Sequence, residues 1–189
     1  MTEALLEPAL RRMRVRRVLP VIAQHPDCHL LDVGCGAKAA LLRAVEPYVA
    51  RAVGIDFKAP ALATGKLSTI AATLADALPF PDRTFDVVTM LAVLEHLAQP
   101  RAIVGEIHRV LKPGGQVVLT VPSYAAKPVL EFLAFRLGVV SREEILDHKE
   151  YYGAKALRTL FGDAGFRVEV HRYFQLAMNN FFVATRTAP

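Results

Sequence analysis

Apolar positions along this chain gather into short, almost unbroken runs. Between them lie stretches whose apolar residues recur every three or four positions. The runs HLLDVG (29–34), ARAVGID (50–56), IAATLADA (70–77), FDVVTML (85–91) and QVVLTVP (116–122) predict strands. AALLRAVEPY (39–48), PALATGKLS (60–68) and PRAIVGEIHRVLK (100–112) predict helices, the last one closed by Pro-Gly-Gly. Strands without polar alternation are buried on both faces, which marks a parallel sheet. Strands and helices in turn predict a doubly wound α/β domain, whose ligand lies beyond the carboxyl ends of the central strands.

The far end breaks this rhythm. An amphipathic stretch, AKALRTLFGDAGF (154–166), is stopped by Gly165 and followed by two strand-like runs, RVEVHRYF (167–174) and NNFFVATR (179–186). The link between those runs is too short for a parallel crossover, so they predict an antiparallel pair and bring the sheet to seven strands. Residues 123–153 are too many and too apolar for a plain connection, and predict a helical cap over the site. Within them, VLEFLAFRLGVV (129–140) is apolar around most of its circumference. It reads as ordinary core, as the wall of an apolar acceptor pocket, or as a surface meeting a membrane or a partner.

Composition narrows the class. At 189 residues, 53% apolar and 22% charged, the chain suits one globular domain (1–189) with a full core. No apolar run approaches the roughly 20 residues that span a bilayer, and arginines stand where an export signal needs its apolar stretch. Two cysteines, Cys28 and Cys35, lack metal-site spacing and are too few for a disulfide framework. A cytoplasmic protein with free thiols is the expectation. The net charge of +5 is partly local, because Arg11, Arg12, Arg14, Arg16 and Arg17 crowd a basic helix within residues 1–28. That helix reads as a solvated face or as contact with an acidic partner such as a lipid headgroup. Without aromatic interleaving or a recognition motif, no nucleic-acid partner is expected.

The turn after the first strand admits two readings. Gly34, Gly36 and Ala39 spell G-x-G-x-x-A, and Asp56 follows Gly36 at the spacing of a ribose-gripping carboxylate. Tyr151 and Lys155, four apart, even match a hydride-transfer pair, although no partner serine is identifiable. The glycine turn and Asp56, taken alone, are compatible with a nicotinamide-dependent oxidoreductase, and the Tyr151–Lys155 spacing is read as a chance match. Yet Asp32, two residues before Gly34, would repel a pyrophosphate and suits a cationic ligand group instead.

With Asp32 included, LDVGCG is followed by ADALPFPDRTFDVV, LEHL, VLKPGG and AGF. This ordered set resembles the class I S-adenosylmethionine-dependent methyltransferases, particularly those acting on small molecules and lipids, from about Leu30 to Arg186. The resemblance implies a Rossmann-like, doubly wound, seven-stranded and mostly parallel sheet with an antiparallel last strand. It implies S-adenosyl-L-methionine as cofactor. Asp32, Gly34, Cys35 and Gly36 would surround its methionine part, Asp56 its ribose hydroxyls, and Phe57 its adenine. Asp76 would take the adenine amino group beside Ala77 and Leu78, while Met90, Leu91 and Ala92 line the far side. Cys35 would be a small residue facing the core. Lys38 departs from the family's third glycine; it points outward, meets the cofactor's carboxylate, or marks a weakened site. A non-catalytic member of the fold, binding a partner through its cap, is therefore a further alternative.

Methyl transfer needs alignment and exclusion of water more than a particular catalytic group. His96, beside Glu95 at the mouth of the sheet, is the first candidate base; His148, with Tyr152, is the second. Some quinone-type O-methyltransferases hold a metal with a Glu-x-x-Glu-His cluster, but here Ala92 fills the first position, so no metal is expected. The absence of an N/D-P-P-Y motif after the fourth strand argues against methylation of nucleic-acid bases. The expected acceptor is a small or lipid-like molecule, with a peripheral membrane contact as the accompanying partner.

Overall fold

The computed structural model describes residues 4–74 and 76–187. Ala75, inside the strand expected over 70–77, lies outside the described residues, as do residues 1–3 and 188–189. Five strands descend from the apolar runs in the central part: β1 (Cys28–Val33), β2 (Val49–Asp56), β4 (Leu67–Ala71), β5 (Phe85–Leu91) and β6 (Leu111–Pro122). They pair in parallel in the order β4-β2-β1-β5-β6. Neighbouring residues along them enter opposite cores. Leu31, Val88 and Val117 pack with α3 (Pro100–Val110) and α6 (Ala154–Asp163), while Leu30, Val87 and Val118 pack with α1 (Glu7–Ile22) and α2 (Ala40–Val45). Burial on both faces explains why these strands show no polar alternation.

The sheet has eight strands rather than seven. The stretch 60–68, expected as a helix, instead forms β3 (Ala63–Thr64), which turns through Gly65 and pairs antiparallel with β4. Gly65 adopts φ +49, which a tight hairpin demands and a helix does not. Thr69 then ties the hairpin shut: its hydroxyl accepts from Leu62 N at 3.0 Å and donates to the Pro60 carbonyl. As a result β4 begins three residues before the expected strand.

At the other edge, β7 (Phe166–Phe174) and β8 (Asn179–Arg186) are antiparallel, and β8 lies between β6 and β7. Their link turns through Gln175, Leu176 and Ala177, all at positive φ. Between β6 and α6 stand α4 (Ala126–Phe132), a π-helical turn (Leu133–Leu137) and α5 (Arg142–Leu146), held by a small core of Ala134, Val140 and Ile145. The basic α1 reaches both parts. Leu6 donates its N–H to Val139 of the cap, and the Arg17 guanidinium lies 5.3 Å from the centre of the Phe181 ring. Arg14 is paired with Glu7 at 3.3 Å, so the arginine cluster is partly spent within the fold, and Arg12 and Arg16 remain exposed.

Candidate functional site

The carboxyl ends of β1, β2 and β5 converge on the turn at 34–36. Gly34 is forced: its φ is +78, and a Cβ there would lie 2.2 Å from Val93 Cγ2. Gly34 N donates to the Ile55 carbonyl at 2.8 Å, which brings the turn onto the end of β2. Gly36 has φ +66, but nothing lies within 4 Å of the position a Cβ would take. Its exposed face is a cradle that only a hydrogen leaves open. Beneath the turn, Gly54 on β2 makes room for Cys35, whose Cβ and Sγ would be 2.8 Å from an added methyl. Burial pushes the Cys35 thiol up to about 12, so it packs as an apolar group.

Two carboxylates frame this turn. Asp32 is 3% exposed and accepts a 2.7 Å hydrogen bond from the Thr89 hydroxyl, with burial pushing its carboxyl up to about 7. Asp56 accepts from Gly36 N at 3.0 Å and from Lys58 N at 2.7 Å, so it shapes both the glycine turn and its own. Phe57, next to it, is 65% exposed, and Lys58 Nζ lies over its ring, 4.9 Å from the centre.

On the opposite side, Asp76 and Ala77 are exposed and Leu78 is buried. The loop bearing them is gripped from α3. Glu106 accepts from Leu78 N at 2.8 Å, and Arg109 donates to the Leu78 and Phe80 carbonyls at 3.0 and 2.8 Å. Met90 is fully buried, while Leu91 and Ala92 are half-buried, Ala92 at φ +56. Lys38 is exposed and takes no left-handed conformation; the adjoining Ala39 carries it, at φ +46.

The sequence-expected cofactor residues thus lie on four neighbouring strand ends or the loops that follow them. An open glycine cradle, a buried carboxylate that suits a cation, a carboxylate at the end of β2 and an exposed aromatic face fit S-adenosyl-L-methionine. Thr89, Gly54, Glu106 and Arg109 were not foreseen. Thr89 alone carries a sequence signal, as the one polar residue among the five that follow Asp86 in a doubly buried strand.

A second group stands after β5. Glu95 is 1% exposed, and burial pushes its carboxyl up to about 8. The His96 imidazole Nδ1 lies 3.0 Å from Asp147 Oδ2, and His148 Nδ1 lies 3.1 Å from Tyr151 Oη. The His96 and His148 rings meet edge to face with centres 4.8 Å apart. Burial pushes His148 down to about 4, so this imidazole is neutral at ordinary pH. Lys149 fastens the two segments, donating N–H to the Glu95 carbonyl at 2.8 Å and Nζ to the His96 carbonyl at 2.7 Å. The structure therefore joins His96 and His148. Tyr152 lies in the main core, with its N–H on the Pro122 carbonyl and its own carbonyl bonded by Asn180; the tyrosine hydrogen-bonded to His148 is Tyr151. That bond also engages the Tyr151 hydroxyl, which the oxidoreductase reading pairs with Lys155.

Beside this cluster is a pocket of about 440 Å³. Tyr124, Phe135, Ile145 and Leu146 supply apolar wall, and Lys127, Glu131, His148, Lys149, Glu150 and Tyr151 supply polar and charged wall. Among the described residues, no helix is long and apolar enough to cross a membrane.

Comparison with known proteins bears on family and fold. Residues 31–119 match the family described as "Methyltransferase domain". The chain is 34% identical over 122 residues to a demethylmenaquinone methyltransferase of Symbiobacterium thermophilum, covering 58% of this chain and 47% of that one. It is 32% identical over 160 residues to a ubiquinone biosynthesis O-methyltransferase of Pseudomonas syringae pv. tomato, covering 74% of this chain and 65% of that one. The chain thus spans about half to two thirds of the length of these relatives. A solved S-adenosylmethionine-dependent methyltransferase from Mesorhizobium loti shares the fold, with a TM-score of 0.67 and 20% identity over 97% of this chain and 98% of that one.

Proposed function

Because the chain belongs to the class I S-adenosylmethionine-dependent methyltransferases, we propose that it transfers a methyl group from that cofactor to a small, apolar acceptor seated under the cap. The observation that carries this reading is the pocket of about 440 Å³, which has cap residues and His148 in its walls and adjoins the end of the sheet. When bound, the cofactor supplies an electrophilic methyl group on a sulfonium. Asp32 holds the charge complementary to the cofactor's ammonium group, and Gly36 lets the chain backbone approach it. Asp56 takes the ribose hydroxyls, Phe57 and Leu78 flank the adenine, and Asp76 accepts from its amino group. Met90, Leu91 and Ala92 close the inner wall.

The chain's contribution to rate is orientation and dryness. The cap covers one side, and Arg14 of α1 exerts its charge on both Glu95 and His148, so α1 stands close over the same end of the sheet. His96 and His148 face the acceptor side, where a hydroxyl would give up its proton. Their carriers, the turn after β5 and the end of the cap, are locked together by Lys149, so the two rings keep one arrangement.

The acceptor class follows from the walls and the relatives. A pocket with Tyr124, Phe135, Ile145 and Leu146 suits an aromatic or lipid-tailed molecule. The names of the two relatives, one acting on demethylmenaquinone and one in ubiquinone biosynthesis, support a quinol-type acceptor. Phe132, Leu137 and Leu146 are exposed on the cap near Lys127 and Arg136, a mixture that suits collecting such a molecule from a membrane surface.

Calorimetric titration with S-adenosylhomocysteine tests the cofactor, with NADH in parallel. Micromolar binding of the first alone is expected; binding of NADH alone overturns the reading. Transfer of labelled methyl from S-adenosylmethionine to quinols with and without a short prenyl tail tests the acceptor, and the tailed compound is expected to have the lower KM. Transfer to neither overturns the acceptor class.

A further inference from the structure

We propose that Tyr151 is a positioning residue for methyl transfer, holding His148 in the tautomer whose bare Nε2 receives the proton of the acceptor hydroxyl. The inference rests on the reading of the pocket as the acceptor site, and it selects His148 over His96.

Tyr151 and His148 both stand in the wall of that pocket, whereas His96 does not. The Tyr151 hydroxyl lies 3.1 Å from His148 Nδ1, and the two rings meet edge to face with centres 5.3 Å apart. Nε2 is thus the nitrogen left for a ligand. With Nδ1–H donating to the tyrosine oxygen, Nε2 carries a lone pair. Burial, and then the charges of Glu131 and Glu95, raise the Tyr151 phenol, so it stays a neutral partner. Burial, with smaller contributions from His96 and from Arg14 of α1, keeps His148 neutral against the opposing charge of Asp147.

The backbone fixes Tyr151 from both sides. Two residues before it, Lys149 N–H donates to the Glu95 carbonyl at 2.8 Å; one residue after it, Tyr152 N–H donates to the Pro122 carbonyl at 3.2 Å. Next in the chain, Gly153 lets the Tyr124 ring close in, since a Cβ there would lie 2.9 Å from Tyr124 Cε2. Residues 149–153 therefore carry both the tyrosine behind His148 and the seat of the pocket's aromatic wall. A hydrogen bond set on a pinned backbone gives an imidazole the single orientation that proton transfer needs.

The step balances with these groups alone. The acceptor oxygen bonds the methyl carbon as the carbon–sulfur bond breaks, with that bond's electron pair left on sulfur. The hydroxyl proton becomes strongly acidic as the new bond forms, so a weakly basic imidazole suffices to take it at Nε2. His148 then carries the positive charge, with Nδ1–H on Tyr151, and releases a proton to water at the pocket mouth.

Two measurements on the full chain test this. Nitrogen-15 NMR reads the His148 tautomer directly, the signal being assigned by its loss in His148→Gln; a proton on Nδ1 is expected, and a proton on Nε2 overturns the proposal. Methyl transfer is then followed to a prenylated quinol and to a nitro-substituted phenol that is ionised at the assay pH. With the quinol, Tyr151→Phe should lower kcat by ~10-fold and leave KM and the Kd for S-adenosylhomocysteine unchanged, while His148→Gln should lower kcat by ~100-fold. The double variant should be no slower than His148→Gln alone, because the tyrosine acts only through the histidine. With the ionised phenol, which has no proton to give, Tyr151→Phe should match the parent. Tyr173→Phe, on the remote edge strand β7, should match the parent with both. An equal loss on both acceptors, or additive losses in the double variant, makes Tyr151 merely structural and overturns this inference alone. A parent chain that methylates neither acceptor overturns the acceptor reading and this inference with it.

Discussion

Thr89 donates its hydroxyl hydrogen to Asp32 Oδ1 at 2.7 Å, directly across the β1–β5 ladder, where the two residues are partners in register. Both are buried, so the strand pair carries a polar contact in an otherwise apolar layer. Burial, with the charge of neighbouring Asp56 as a smaller contribution, holds the Asp32 proton on. A cationic ligand reverses that balance.

Cofactor affinity should therefore depend on pH. Below about pH 7 Asp32 is protonated, and binding an ammonium group must expel that proton. The Kd for S-adenosylhomocysteine should rise by up to ~10-fold per pH unit on going down from pH 7 to 5.5. Asp32→Asn should bind weakly and show a flat profile. Calorimetry across that range measures both.

The same group should shape the stability of the free protein, with the opposite sense from a salt-bridged aspartate. Its folded pKa is raised, so between about pH 4 and 7 the folded chain holds a proton that the unfolded chain has released. Stability from this group is greatest at low pH and declines by up to ~1.4 kcal/mol per unit as pH climbs to 7. Urea unfolding of the parent and Asp32→Asn at matched pH isolates the effect as their difference.

Gly34 and Gly36 should separate folding from binding. Gly34→Ala meets Val93 at 2.2 Å with an unfavourable φ, and should lose about 2–4 kcal/mol of stability. Gly36→Ala meets nothing and should cost only about 1–2 kcal/mol from its φ. Its methyl nevertheless enters the cradle, so cofactor affinity should fall by more than ~10-fold, the strain and lost approach together. Thermal melts and titrations on the two variants read these effects separately.

Asp56→Ala should weaken cofactor binding by more than ~10-fold, through loss of charge-assisted hydrogen bonds of ~1.5–3 kcal/mol. Because Asp56 also receives the Gly36 and Lys58 N–H groups, the variant should show faster amide exchange at those two positions. Unchanged cofactor affinity would remove Asp56 from the site.

Arg109→Met removes the clamp on the Leu78 and Phe80 carbonyls. The loop bearing Asp76 should loosen, raising KM for the cofactor several-fold with kcat nearly unchanged, since no reacting atom is touched. A matching fall in kcat would place Arg109 nearer the chemistry.

Strand residues announced themselves because burial on both faces leaves a continuous apolar run; β5 and β8 fall on the runs 85–91 and 179–186. The glycine turn was legible for the same local reason, since positive φ at Gly34 and Gly36 restricts the residue type. The stretch 60–68 misled, because its spacing of apolar residues fits a helix, whereas Gly65 and the Thr69 side chain close it as a hairpin. Non-local groups were hidden. Arg109 and Leu78 are 31 positions apart, and nothing in either segment names the other. The same holds for His148.

β8 has a consequence for the order in which the protein can be made. It follows β7 in the chain, yet it sits inside the sheet, and β7 reaches β6 only through it. Asn180 on β8 bonds the Val121 and Tyr152 carbonyls, tying the two ends of the cap, and Phe181 and Phe174 receive Arg17 of α1. The cap and α1 are thus both fastened to residues translated after α6. A nascent chain that has emerged only as far as α6 holds its glycine turn and Asp56 but lacks these fastenings, so the cap and α1 are fixed in place only after β8 has been made.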